Sequence, residues 1–184
     1  MGGSHKGSSF EREICKLLSC WWSKGIEGKA RDDIFWRSSQ SGGRATQRAK
    51  FGKKTFGSYG DIAAVDPVGA PLLKAFTIEL KRGRSHGCPN DLLDCKPSTK
   101  PKPFEQCLMQ AIEAHQRAVS LFWMLLCRRD GRVSMVYMNW NVQIIPRVLY
   151  DIPLCNGRRL RFMGVKLADL LSQVSPSDIV NLLK

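Results

Sequence analysis

The spacing of hydrophobic residues changes along the chain and predicts where helices and strands form. The first apolar set recurs at helical spacing and consists of Phe10, Ile14, Leu17, Leu18 and Trp21. It predicts an amphipathic helix over residues 9 to 23. Ser8 is placed to cap this helix, Glu11 completes a capping box, and Lys24-Gly25 is expected to end it.

Shorter apolar runs predict β-strands in the next part of the chain. Residues 34 to 38 are extended in character, and residues 61 to 65 and 73 to 81 predict two further strands. Residues 66 to 69 between those two strands read Asp-Pro-Val-Gly, the composition of a type I turn. The two strands are therefore expected to form a hairpin.

The second half of the chain repeats this alternation. A helix is expected from Phe104 onward, with the apolar residues through Ile112 on its buried side and Gln106 and Gln110 on the other. Residues 121 to 127 are continuously apolar, as in a strand buried on both faces, and Asp130-Gly131 turns the chain into a partner strand over 133 to 140. Residues 167 to 183 predict one or two short helices, the last opened by Ser175-Pro176.

This order of elements predicts an α/β sandwich in which helices flank a central mixed sheet. We expect one domain over residues 1 to 184, with a helical C-terminal tail near 165 to 184. Two irregular basic segments, near 42 to 60 and 83 to 103, interrupt it. Residues 34 to 60 contain six basic side chains and no acidic one.

Net charge points to a polyanionic partner. The chain has 29 Lys and Arg against 16 Asp and Glu, a formal charge of +13, and phosphates paired with such side chains release counterions. An anionic membrane is the competing partner, but no helix has a single basic face, and neither a membrane span nor a signal peptide is visible. We therefore expect DNA as the partner, no membrane, and a cytoplasmic location (that of the host cell for a virus-encoded protein), where the cysteines remain free thiols.

The candidate chemistry lies in Thr77-Ile78-Glu79-Leu80-Lys81. Strand alternation places Glu79 and Lys81 on one face, and Asp61 heads the neighbouring predicted strand. Two carboxylates can hold Mg²⁺ or Mn²⁺ beside a phosphate, while the lysine stabilises negative charge on phosphorus. Taken alone, however, a Glu-x-Lys strand pair is usually only a solvated face, and Glu11 is usually only a cap.

Two other signals in the basic segments are weaker. His86, Cys88 and Cys95 lack the paired spacing of structural zinc sites, so free thiols in a loop are favoured over zinc. Phe51 and Phe56 lie among basic residues and are candidates to stack on unpaired bases.

Four segments together resemble the archaeal-type Holliday-junction resolvases of the PD-(D/E)xK nuclease superfamily. They are Lys6-Gly7 running into Glu11-Arg12-Glu13, Arg37-Ser38 followed by Ser41-Gly42, Gly60-Asp61-Ile62-Ala63-Ala64, and Ile78-Glu79-Leu80-Lys81. The resemblance spans residues 6 to 81, with a weaker echo in the helix and strand that follow. It implies a restriction-endonuclease-like fold and an endodeoxyribonuclease that needs Mg²⁺, for which Mn²⁺ can substitute.

The resemblance also implies roles for individual residues. Asp61 and Glu79 would bind the metal, helped by the Leu80 carbonyl and by Glu11 directly or through water, and Lys81 would be the catalytic lysine. Either Gln106 or Gln110 would orient water or phosphate, with Gln110 preferred. The candidate DNA-binding residues are Lys6, Arg37, Ser41, Arg44, Arg48, Lys50, Phe51, Lys53 and Lys54.

The basic segments depart from the compact resolvases, and substrate choice depends on such loops. Three hypotheses follow. The first is a homodimer that resolves four-way junctions by paired, symmetric nicks. The second is a restriction-like or repair nuclease with the same active site. The third is a basic DNA-binding protein without catalysis, which the joint presence of Glu11, Asp61, Glu79 and Lys81 disfavours.

Overall fold

A computed structural model of the chain describes residues 3 to 38, 59 to 94, 96 and 99 to 184, with side chains from residue 7 onward. The helices are α1 (Gly3–Glu27), α2 (Ala70–Ala75), α3 (Asn90–Leu93), α4 (Pro103–Ala118), α5 (Leu167–Gln173) and α6 (Pro176–Asn181). The strands are β1 (Phe35–Arg37), β2 (Ile62–Ala64), β3 (Phe76–Arg82), β4 (Phe122–Arg128), β5 (Met135–Met138), β6 (Val148–Pro153) and β7 (Arg159–Lys166).

The predicted α/β sandwich around a mixed sheet is confirmed. Five strands form the central sheet in the order β3-β4-β5-β7-β6, in which β3 and β4 are parallel and the other neighbours are antiparallel. Helices α1, α2, α5 and α6 bury their apolar residues on one face of this sheet, and α3 and α4 bury theirs on the other. Because α4 connects β3 to the parallel β4, it lies directly over the strand predicted to carry the chemistry.

Several local predictions are confirmed. The buried side of α4, the β4–β5 hairpin and the two C-terminal helices are present, and Ser175 caps α6 in a capping box with Asp178. Cys15, Cys107 and Cys127 are buried among apolar side chains, as expected of small hydrophobes. Trp22 and Trp123 belong to the core. None of the helices in the described ranges has the length and hydropathy that a membrane crossing requires.

The predicted boundaries of the first helix are wrong at both ends. Ser8 lies inside α1, which begins at Gly3, so it does not cap the helix. Gly25 also lies inside α1 and does not end it. Pro176 of α6 packs against Gly25 so closely that a Cβ there would come within 2.4 Å of the proline ring. This glycine provides a close helix contact, and α1 ends two residues later at Glu27.

The predicted hairpin between residues 61 to 65 and 73 to 81 is also wrong. β2 pairs antiparallel with β1 in a separate two-stranded sheet, whereas β3 pairs with β4. Residues 70 to 75 form α2, with a proline in its first turn, rather than the start of a strand. The turn itself is a 3₁₀ helix, Pro67–Gly69, capped by the Asp66 side chain. Asp61 nevertheless lies beside β3, since its backbone N–H donates to Ile78 O at 2.8 Å.

Candidate active site

Alternation along β3 places Glu79 and Lys81 on the face covered by α4. Glu79 is buried, with 4% of its surface exposed, whereas Lys81 is half-buried. Thr77 on the same face is fixed by a 2.7 Å hydrogen bond between its hydroxyl and that of Ser120. The intervening Ile78 and Leu80 pack into the core on the other side. The strand therefore holds one carboxylate and one ammonium side by side, as its period of two predicts.

Asp61 reaches this strand from its free edge, because β3 is the outermost strand of the central sheet. Its backbone N–H donates to Ile78 O, and its Oδ2 accepts from the Leu80 N–H at 2.8 Å. Gly60 makes the approach possible, since it has φ +82 and a Cβ at that position would lie 2.6 Å from Ile78 O. The predicted juxtaposition of Asp61 and Glu79 is thus produced by an edge contact and not by a hairpin.

Two polar groups converge on one oxygen of Glu79. Gln110 Nε2 donates to Glu79 Oε2 at 3.0 Å, and Lys81 Nζ lies 3.5 Å from the same oxygen. Gln106 is directed elsewhere, since its Nε2 donates to Pro101 O at 2.9 Å. Of the two glutamines that the sequence leaves open, the structure brings Gln110 to the site.

Burial and mutual repulsion raise the pKa values of the two carboxyl groups. Burial, followed by the negative charge of Asp61, raises the pKa of Glu79 to about 8. Burial also raises the pKa of Asp61, although the Leu80 N–H and the Lys81 charge oppose this shift. At neutral pH, Glu79 is therefore largely protonated. A cation between the two carboxyl groups would replace this proton, which suits a pair of hard oxygen donors.

Glu11 and Arg37 border this pair. Arg37 on β1 donates from Nε to the carboxylate of Glu11 on α1, and the Ser38 N–H donates to Asp61 O at 2.9 Å. The negative charge of Glu11 acts on Asp61 and raises its pKa. Both side chains are thus beside the site, but Glu11 is occupied by Arg37, so its predicted role as a metal ligand remains a prediction.

The other predicted DNA-binding residues lie outside the described side chains. They are Lys6, Ser41, Arg44, Arg48, Lys50, Phe51, Lys53 and Lys54, and Phe56 and Cys95 also lie outside. Ser38 and Tyr59 are the described residues on either side of residues 39 to 58. Ser38 N–H donates to Asp61 O, and Tyr59 precedes Asp61 by two residues. The two described residues that flank this segment, Ser38 and Tyr59, therefore lie near the carboxylate pair.

The carboxylate pair has the chemistry of an incomplete Mg²⁺ site. Within the described ranges, no three His, Cys, Asp or Glu side chains are arranged to hold a metal ion by themselves. A cation at Asp61 and Glu79 would therefore need additional oxygens, and Mg²⁺ usually takes these from water and substrate phosphate. The Leu80 carbonyl is a further candidate, because its N–H points to the Asp61 edge and the two groups of one strand residue point the same way.

One group near the site was missed by sequence reasoning. Arg82 and Arg128 lie next to each other where β3 and β4 end, and both guanidinium groups lie over the Phe10 ring. The signal that could have found them is the basic run that follows each strand, Lys81-Arg82-Gly83-Arg84 and Arg128-Arg129. Parallel strands end at the same edge of a sheet, so basic residues after both strands must meet.

Comparison with known proteins identifies one family to which the chain is similar. Residues 2 to 155 match the model of a family described as "Phage putative PDDEXK endonuclease", and this range includes Asp61, Glu79, Lys81 and Gln110. No curated protein and no solved structure matches the chain. The match covers well over half of the 184 residues, and the mixed sheet with its flanking helices is the fold expected of such nucleases. The chain is a member of this PD-(D/E)xK endonuclease family.

Proposed function

We propose that the chain is a Mg²⁺-dependent endonuclease that hydrolyses phosphodiester bonds in DNA. The observation that carries the proposal is the convergence of Lys81 and Gln110 on the same oxygen of Glu79, whose pKa is raised by burial and by the neighbouring charge of Asp61. A carboxyl group that could bind a cation thus contacts both a positively charged side chain and an amide donor. These are the groups that a phosphodiesterase centre requires.

Each side chain has a separate task in this proposal. Mg²⁺, when bound, would neutralise charge on the scissile phosphate and lower the pKa of a bound water. Asp61 and Glu79 would hold the cation, and the buried Leu80 N–H would keep Asp61 oriented toward it. Lys81 would stabilise the additional negative charge as water attacks phosphorus and the P–O bond breaks. Gln110 would keep Glu79 in place and donate to water or phosphate.

Metal dependence is the first test of this proposal. We expect the purified protein to cut DNA in Mg²⁺ or Mn²⁺ and to lose cleavage at least about 1000-fold in excess chelator, since the cation that would neutralise the phosphate and activate water is then absent. Cleavage of a plasmid followed by gel electrophoresis measures this, and re-addition of Mg²⁺ is the control. Full cleavage in chelator would refute the metal site, whereas DNA binding without cleavage in any metal would favour the non-catalytic DNA-binding hypothesis.

We further propose that branched DNA is the preferred substrate and that a homodimer makes paired, symmetric nicks in four-way junctions. The proposal is supported by the resemblance of residues 6 to 81 to junction resolvases and by the positions near Asp61 of Ser38 and Tyr59, which flank the basic residues 39 to 58. Two such segments in a dimer would engage one junction, and paired contacts multiply affinity for a branched target.

Junction preference is measured by comparing a four-way junction with linear duplex of equal length at equal salt. We expect at least about 10-fold tighter binding to the junction, a difference of about 1.4 kcal/mol. Deleting residues 48 to 54 should reduce that preference more than it reduces duplex binding. Equal affinity, or single random nicks in duplex, would instead favour the restriction-like or repair nuclease, which uses the same catalytic groups.

A further inference from the structure

Two neighbouring parallel strands of the central sheet end in arginine, and their carboxyl ends lie side by side. β3 and β4 are parallel, and their register pairs Arg82 with Arg128. Like charges directly opposite each other on a sheet destabilise it, so this pair needs compensation from its surroundings. The next residues add Arg84 after β3 and Arg129 and Arg132 after β4. We call these five residues the arginine cluster.

The inner pair of the arginine cluster is held in place by the protein itself. Arg128 and Arg82 lie over the ring of Phe10 at 4.5 and 5.9 Å from its centre. Both carboxylate oxygens of Glu13 accept from Arg128, and Asp130 pairs with Arg82 at 3.2 Å. These contacts leave both arginine side chains only about one quarter exposed, at 23% for Arg82 and 22% for Arg128. These contacts therefore fix the positions of both inner arginine side chains.

The outer three arginines have no such compensation. Arg84, Arg129 and Arg132 are exposed, and none forms an ion pair with a carboxylate in the described part of the chain. The loop after β3 is joined to the end of β4, because Gly83 N–H donates to Arg128 O at 3.0 Å. Within the turn after β4, Arg132 N–H donates to Arg129 O at 3.0 Å. Three positive charges thus point from adjacent short loops, where mutual repulsion is unfavourable unless an anion binds.

The arginine cluster lies next to the candidate active site. Lys81, which contacts Glu79, directly precedes Arg82 in β3. Burial chiefly lowers the pKa of His86, and the positive charges of Arg129 and Lys81 lower it further, so both cations lie near this buried ring. The cluster therefore starts one residue beyond Lys81, at the carboxyl ends of β3 and β4, and strand alternation places its inner pair on the α1 side of the sheet, whereas Lys81 is on the α4 side.

We infer that the arginine cluster binds the phosphodiester backbone of DNA on one side of the scissile phosphate. This inference rests on the proposed function and adds the path of the substrate. Guanidinium groups in series suit regularly spaced phosphates, which they contact without reading base sequence. An acidic protein surface is the other polyanion that could pair with the cluster, but the position of the cluster directly beyond Lys81 favours the strand that is being cut. The inner pair orients the cluster, and the outer three residues contact phosphates.

A triple variant, Arg84→Ala with Arg129→Ala and Arg132→Ala, tests the inference on the full chain. The control is Arg158→Ala with Arg159→Ala and Arg161→Ala, which removes the same charge from the β6–β7 end, at the opposite edge of the sheet. Duplex binding is measured in chelator over a series of salt concentrations. We expect the cluster variant to bind at least about 10-fold more weakly, with a salt slope lower by about 2 to 3, while the control changes less than about 3-fold.

The outcomes separate this inference from the proposed function. Both triple variants are also assayed for thermal unfolding and for Mg²⁺-dependent hydrolysis of bis(4-nitrophenyl) phosphate, which has no flanking phosphates. We expect the cluster variant to match the unmodified protein in both. If the unmodified protein cuts DNA but the cluster variant binds it with unchanged affinity and salt slope, or if both triples weaken binding equally, the inference is wrong. If the unmodified protein cuts no DNA, the proposed function itself fails. Retention of DNA binding with loss of binding to an acidic protein would assign the cluster to a protein partner.

Discussion

Glu79→Gln is expected to lower DNA cleavage at least about 1000-fold, equivalent to about 4 kcal/mol of transition-state stabilisation. The amide keeps the shape of the side chain and its contact with Gln110, but it cannot supply the negative oxygen that a cation requires. DNA binding should persist or tighten, because one potential negative charge near phosphate is removed. Asp61→Asn should behave in the same way, since Asp61 is the other carboxylate of the pair.

A buried glutamate elsewhere in the fold provides a matched control. Glu105 on α4 is also 4% exposed, and its Oε1 accepts from the Cys155 N–H at 2.8 Å. Glu105→Gln makes the same chemical change away from the site and should retain cleavage. Initial cleavage rates of the two variants, together with their affinities for duplex, show whether the loss of cleavage is specific to Glu79. Normal cleavage by Glu79→Gln would show that the active site is located elsewhere.

The same substitution, Glu79→Gln, should stabilise the metal-free protein at alkaline pH. The folded pKa of Glu79 is raised to about 8, whereas an unfolded glutamate titrates near about 4.3. The stability that the protonated carboxyl contributes is complete below the unfolded pKa and is lost as pH rises through the folded one. The amide of the variant has no such proton to lose, so the variant should exceed the unmodified protein at pH 8 by on the order of 4 kcal/mol in urea unfolding. Added Mg²⁺ should stabilise only the unmodified protein and so reduce this difference.

Gly60→Ala is expected to reduce cleavage at least about 100-fold, although residue 60 has no chemical group of its own. A Cβ would lie 2.6 Å from Ile78 O, and the backbone φ of +82 is unfavourable for any residue with a side chain. Relief of this clash must move the chain away from β3, and with it the hydrogen bonds that position Asp61. A displacement of about 1 Å in a catalytic group costs on the order of 100-fold in rate.

Gly28→Ala separates the effect of backbone conformation from that of the close approach. Gly28 has a similar φ of +73, but a Cβ there would meet no atom within 4 Å. Both variants should lose about 1 kcal/mol of stability from the positive φ, measured by thermal unfolding. Only Gly60→Ala should lose cleavage as well. Equal activity in the two variants would mean that the contact with Ile78 is not needed to place Asp61.

Strands β3 and β4 were predictable because their patterns are local. Alternation through Thr77, Glu79 and Lys81 indicates which side chains share a face, and the continuous apolar run of β4 indicates that this strand is buried on both faces. The proximity of Asp61 and Glu79 was predicted for the wrong reason. A turn composition after residue 65 favours a hairpin, but nothing in the sequence shows that β1 competes for β2 as a partner.

The elements that were missed or misplaced depend on tertiary contacts. Gly25 resembles a helix end until Pro176, far away in sequence, is known to pack against it. β6 and β7 were not predicted, because β6 is an edge strand with exposed Val148 and Leu149, and β7 begins with alternating arginines. The choice between Gln106 and Gln110 likewise needed the orientation of α4 over β3, which periodicity alone does not give.

The position of β3 at the margin of the sheet has a consequence for solubility as well as for chemistry. An open strand edge invites pairing with strands of other molecules, and proteins usually guard such edges with charges, bulges or covering loops. Here the Ile78 carbonyl and the Leu80 N–H, which an incoming strand would use, are already taken by Asp61. Asp61, which is proposed to bind the cation, therefore also blocks strand pairing at this edge. Its backbone contact should survive Asp61→Asn, so that the inactive variant remains protected against edge-to-edge aggregation, whereas a displaced Gly60-Asp61 segment would expose it.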